Sequence, residues 1–160
     1  MIDGYSSAGN ILSGKLLGAK EYKSLVILSN KLFKYGIVIG TIIAVLGAFF
    51  YNEIGRIFTN ETLVLEQFYT VFWIVLITQP INAITFIFDG MFKGMGEMKY
   101  LRNLLILATG LVFVPTLLFF DYLNYKLIAI WLAFTCWIIA RGLPLVFKFR
   151  KKFIPLAENQ

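Results

Sequence analysis

Four long runs of this 160-residue chain carry no charged side chain: Tyr35–Asn52, Gln67–Phe88, Asn103–Phe120 and Leu127–Ala140, of 18, 22, 18 and 14 residues. The last continues apolar past Arg141 to Phe147. About 20 apolar helical residues cross a hydrocarbon core of about 30 Å, so each run qualifies once its interfacial ends are included. With 59% apolar, 17% aromatic and 15% charged residues, the chain exceeds the roughly 45–50% apolar content of soluble domains, and lipid is its natural solvent. The expected class is all-α integral membrane. Four complete transmembrane helices are placed at about residues 25–52, 63–92, 100–120 and 125–149.

A fifth segment, about residues 1–19, is small and polar, with the run GYSSAGNILSG. It is too short to cross, and it has neither the basic start nor the A-x-A-like site of a signal peptide. It is read as a partial helix, which makes Met1 an unnatural beginning and the chain a C-terminal piece of a longer membrane protein.

Basic residues set the orientation. Lys15, Lys20, Lys23, Lys31 and Lys34 fall in the first connector, Lys93, Lys99 and Arg102 in the third, and Arg141, Lys148, Arg150, Lys151 and Lys152 around the C-terminus, thirteen of fifteen on one side. The other connectors hold only Arg56 and Lys126, beside Glu53, Glu61, Glu66 and Asp121. The positive-inside rule therefore places the basic loops and the C-terminus in the cytoplasm, with the chain in the cytoplasmic (inner) membrane.

The net charge of +6 does not point to nucleic acid. The cations sit in short loops beside apolar spans, where leaflet phosphates are the nearest anions, so membrane lipids are the expected partner. Cys136 is alone and there is no His. No disulfide, metal or Cys/His nucleophile constellation can be built, and no enzymatic activity and no cofactor are expected.

Polar residues inside the spans are the candidate site. On a helix at about 100° per residue, Thr78, Asn82, Thr85 and Asp89 share an arc of about 60°. Pro80 interrupts the same helix, withholding an N–H from the carbonyl of Leu76, and such breaks survive in lipid only where they face protein or a watery cavity. Asp3, Ser6, Asn10 and Ser13 form a second stripe of roughly 80° on the first segment. Two faces each bearing an aspartate would line a common cavity. The plainer reading is that the Thr, Ser and Asn side chains hydrogen-bond neighbouring helices, each worth about 0.6 kcal/mol. For Asp89 two readings stand: an interfacial pair with Lys93 at i, i+4, or ion and substrate binding, since intramembrane carboxylates are rare.

Arg141 is expected to snorkel to the basic face, with pairing to Asp89 as the alternative. The glycines are read as helix-packing and turn residues, with Gly90, Gly94 and Gly96 ending the second span. KGMGEM lacks the strand before it and the GK[ST] after it that a phosphate loop needs. Tyr51, Tyr69, Tyr122 and Tyr125 are placed in an aromatic belt at the ends away from the basic loops.

The order DGYSSAGNILSGKLLGAKEY, FYNEIGRIFTNETLV, PINAITFIFDGMFKGMGEMKYLRN and IAIWLAFTCWIIARGLPL resembles the C-terminal half of multidrug and toxic compound extrusion (MATE) transporters, in particular the DinF-like branch. That resemblance implies the C-terminal part of a two-lobe, twelve-helix transporter, here the second part of helix 8 and helices 9 to 12. It also implies export of amphipathic or cationic compounds driven by H⁺ or Na⁺, with one lobe rocking against the other. In the DinF-like branch the best-supported cation-binding carboxylates lie in the N-terminal lobe, which these residues do not include, so no coupling site transfers to this sequence. Asp3 and Asp89 are candidates by placement alone, with Ser6, Asn10, Thr78, Asn82 and Thr85 completing the candidate substrate and ion cavity. Without the missing lobe the chain is expected to be transport-incompetent and to self-associate. The competing functions are a lipid-linked saccharide flippase of the same superfamily, for which Arg141 is the one cavity cation, and a membrane scaffold subunit that moves nothing.

Overall fold

The computed structural model describes residues 2–159 and is helical almost throughout. Residue 1 of the expected first helix lies outside the described residues. The helices are α1 (Ile2–Gly18), α2 (Tyr22–Phe49), α3 (Tyr51–Phe58), α4 (Thr62–Gly94), α5 (Met98–Ala108), α6 (Val114–Tyr122) and α7 (Leu127–Glu158). A π-helical turn, Thr109–Phe113, joins α5 to α6 into one rod. Helices α2, α4, the α5–α6 rod and α7 are each long and apolar enough to cross a membrane.

Helix α4 is the hub, packing against α1, α2 and α7 along its length and touching α3 and α5 at its ends. Its contacts are set by small residues. A Cβ at Gly90 or Gly94 would overlap the α1 backbone at Ser6 or Asn10, and one at Gly40 of α2 would overlap Pro80. The proline that breaks the α4 hydrogen-bond ladder therefore faces protein, where a backbone irregularity is tolerated. The α4–α5 turn closes through Gly96 at φ +76°, a left-handed conformation that suits glycine.

The packed core lies toward the end of the bundle that carries the basic loops. Leu25, Leu32, Phe88, Met91, Phe92, Leu145, Phe149 and Phe153 are all buried there. Phe88 and Phe149 meet edge-on with centroids 5.9 Å apart, and Tyr22 stacks on Phe153.

Two elements differ from the expected boundaries. Helix α7 runs on to Glu158 because Phe149, Phe153 and Ala157 recur every four residues and are buried, so the cationic tail is one face of a helix. The connector after α2 holds α3, whose Tyr51 ring stacks on Tyr69 at 4.8 Å. Tyr69 in turn donates a hydrogen bond to the Asn52 carbonyl at 3.1 Å.

Candidate functional site

The stripe of α4 does not face the stripe of α1. Thr85 packs directly on Gly142, where a Cβ would overlap its hydroxyl oxygen, and Asp89 pairs with Arg141; both partners belong to α7. Gly90 and Gly94, which meet α1, lie roughly 130° around α4 from that stripe at 100° per residue. One side of α4 is thus a polar seam with α7, and another is a close crossing with α1.

At the α1 crossing the hydroxyls bond to backbone across the interface. Ser6 donates to the Phe86 carbonyl at 2.9 Å. Ser13 donates to the Met91 carbonyl at 2.9 Å and to Asn10 O at 3.2 Å. Ser13 is fully buried, Asn10 is half-buried, and Asp3 is exposed near the start of α1. Ser6 and Asn10 therefore sit in a helix contact, and Asp3 stands apart from both seams.

Along the α4 stripe the threonines bond within their own helix. Thr78 donates to the carbonyls of Ile74 and Val75, both at 3.0 Å, and Thr85 to Ile81 at 2.9 Å. Asn82 differs: its Oδ1 is buried and accepts no hydrogen bond from the described residues. A buried acceptor left unpaired costs about 1–3 kcal/mol.

Asp89 is 4% exposed and both its oxygens are engaged. Arg141 Nη2 lies 2.6 Å from Oδ1, and Lys93 Nζ lies 2.8 Å from Oδ2. Arg141 also stands over Trp137, with Cζ 5.5 Å from the ring centroid, and the Trp137 indole N–H donates to Thr109 at 3.0 Å. Arg141 thus pairs inward in place of the expected snorkelling. One carboxylate facing two cations leaves a local surplus of one positive charge, and both Asp89 oxygens are already engaged by Arg141 and Lys93. The Asp89–Arg141 bond joins two long helices, α4 and α7.

A second ionic tie, not anticipated from the sequence, holds the α4–α5 turn to the end of α7. Glu97 accepts from Lys152 at 2.7 Å and from Lys148 at 3.0 Å. The hydrogen bonds from Lys152 and then Lys148 hold its carboxyl below the usual glutamate range. The available signal was a lone acid in GMGEMKY beside a tail whose lysines are spaced i, i+4.

The MatE family model matches residues 2–118. The chain is 28% identical over 89% of its length to Protein DETOXIFICATION 42 of Arabidopsis thaliana, covering 27% of that protein. It is 25% identical over 69% of its length to Protein DETOXIFICATION 45, chloroplastic, and 22% identical over 88% to Protein DETOXIFICATION 43, both of Arabidopsis thaliana, covering 20% and 26% of them. The chain thus spans about a quarter of the length of these relatives. A family match over most of the residues, on a bundle with four membrane-length helices, makes this chain a multi-pass membrane protein of the MatE family.

Proposed function

We propose that residues 1–160 form part of the C-terminal lobe of a secondary transporter that exports amphipathic or cationic compounds in exchange for H⁺ or Na⁺. The observation that carries this reading is Asp89, a carboxylate buried in an apolar bundle and tied across a helix seam to Arg141. A proton or Na⁺ arriving at Asp89 competes with the guanidinium, weakens the α4–α7 tie and favours a second packing of the two helices. An ion shifts a conformational equilibrium only by such differential binding. The unpaired Asn82 Oδ1 stands two turns along the same stripe and supplies a neutral oxygen of the kind that hard cations accept. Ion and cationic cargo then exclude one another at the same carboxylate. The membership in the MatE family and the name DETOXIFICATION carried by the relatives agree with an exporter.

The proposed topology places the basic end and the C-terminus in the cytoplasm, because charge asymmetry orients multi-pass proteins. The opposing lobe lies outside residues 1–160, and no enzymatic step is assigned. A saccharide flippase would need a cation for its diphosphate, and Arg141 is already bonded to Asp89, which favours the antiporter.

The test is efflux of a fluorescent cationic dye from cells carrying the full-length protein, under an imposed proton or sodium gradient. Loss of efflux in Asp89→Asn and Arg141→Gln, with normal protein levels, is expected. Unchanged efflux in both variants would remove this seam from the transport path, and a wild type that moves no dye under either gradient would leave the scaffold reading.

A further inference from the structure

A groove of about 340 Å³ opens between α2, α4 and α7, on the side of α4 away from the α1 crossing. Its walls are apolar: Phe33, Ile84, Leu143 and Phe147 line it, with Thr85 at its floor and Arg150 at its basic end. Leu143 and Phe147 are 52% and 68% exposed, so the groove opens sideways among the described residues.

Arg150 and its neighbour Lys151 differ from the other cations of α7. Lys148 and Lys152 are both bonded to Glu97, and Arg141 to Asp89. Arg150 has no carboxylate within ion-pair distance among the described residues. It rests over the Phe33 ring, with Cζ 5.7 Å from the centroid, and is exposed. The groove therefore ends on an uncommitted positive charge held in place by an aromatic ring.

Length selects the occupant. From Ile139 to Arg150, both lining the groove, α7 rises about 16 Å over eleven residue steps, and half of a hydrocarbon core is about 15 Å. An apolar channel one leaflet deep with a cation at its mouth is complementary to one acyl chain and the phosphate above it. We infer that this groove is a binding site for a single anionic phospholipid drawn from the leaflet at the basic end, with Arg150 as its headgroup residue. Thr85 borders both this groove and the Asp89 seam, but Arg150 has no part in the Asp89 cluster, so lipid binding at this mouth does not depend on the transport reading.

Native mass spectrometry of the full-length protein in mild detergent, with phosphatidylglycerol or phosphatidylcholine added, tests the assignment. The wild type is expected to keep one phosphatidylglycerol about fivefold more than phosphatidylcholine, the factor that one basic residue at an anionic surface supplies. Arg150→Gln should bring the two lipids to parity, and Leu143→Trp, which fills the groove from its exposed side, should reduce retention of both. An unchanged lipid preference in R150Q, or wild-type retention in L143W, would overturn the site. Displacement of the bound lipid by millimolar inorganic phosphate would also overturn it, since a free phosphate would then suffice without a chain.

Discussion

Helix α4 and the α5–α6 rod are both apolar enough to cross a membrane, yet 39% of the most apolar stretch of α4 is buried within the chain, against 6% for Met98–Tyr122. Their difference is in small and polar residues. Helix α4 meets its neighbours at Gly90, Gly94, Gly40 and Gly142, where a Cβ would overlap the partner, and it is tied by Ser6, Ser13 and Arg141. Gly110, in the rod, has no such neighbour within 4 Å, and the side-chain hydrogen bond that reaches the rod is the one from Trp137 to Thr109. Lipid tails are as apolar as leucine, so apolarity inserts a helix without pairing it; close backbone approach and hydrogen bonds do the pairing.

The comparison is tested most severely by a side chain placed at the crossing. Gly90→Leu should abolish folding, because the leucine meets the Ser6 backbone and a packed interior cannot absorb it. Gly110→Leu should leave the thermal unfolding midpoint of the full-length protein in detergent near that of wild type. Equal losses from both variants would erase the distinction between hub and rod.

Removing the buried carboxylate is the next largest effect. Asp89→Asn should destabilise by about 3 kcal/mol, since it leaves the Arg141 guanidinium part-buried without its carboxylate. Adding Arg141→Gln should recover part of that loss, and a strictly additive double-mutant cycle would show that the two side chains do not interact.

Glu97 gives a smaller, pH-dependent signal. Its folded pKa is lowered from 4.5 by the bonds from Lys152 and Lys148. Its contribution is therefore present in full above about that pH and fades as the pH falls through the lower folded value. Because the carboxylate and both lysines are partly exposed, the tie is worth at most about 1 kcal/mol. Glu97→Gln should flatten the acid limb of a stability profile, and an unchanged profile would place the tie outside the stability of the bundle.

The smallest effect belongs to the rod. Leu118, 63% exposed, should tolerate Ala within about 0.5 kcal/mol. A loss as large as that of Asp89→Asn would mean that the rod's outer face is covered by protein.

The four spans were legible because charge marks where a chain can leave lipid, and the gaps between charges give lengths directly. Polar stripes were legible as faces only. Helical register states that Thr85 and Asp89 share a side, but choosing α7 over α1 depends on where Gly142 and Arg141 arrive from fifty residues away. The pairing of Asp89 with Lys93 is local, at i, i+4, and could be read; the bond to Arg141 competed with an equally physical alternative in snorkelling. Helix α3 is eight residues long, too short for a periodic pattern to separate it from a loop. The extension of α7 was hidden because Lys148, Arg150, Lys151 and Lys152 read as a soluble tail, although Phe149, Phe153 and Ala157 carry the helical spacing.

The π turn at Thr109–Phe113 bears on how this span is compared with any other. The Val114 N–H reaches back to the Thr109 carbonyl, five residues instead of four, and Pro115 just beyond has no N–H to restore the usual ladder. One residue is in effect looped out along the axis, and Val114–Tyr122 is turned by about 100° relative to an uninterrupted helix. A chain of the same length that ran through this point as an uninterrupted α-helix would present the same letters on a different compass bearing: Leu118 and Phe119 would leave the directions they now hold, while the number, length and apolar character of the spans stayed the same. Two sequences could thus agree in every hydropathy trace and still disagree about which side chains meet the bilayer.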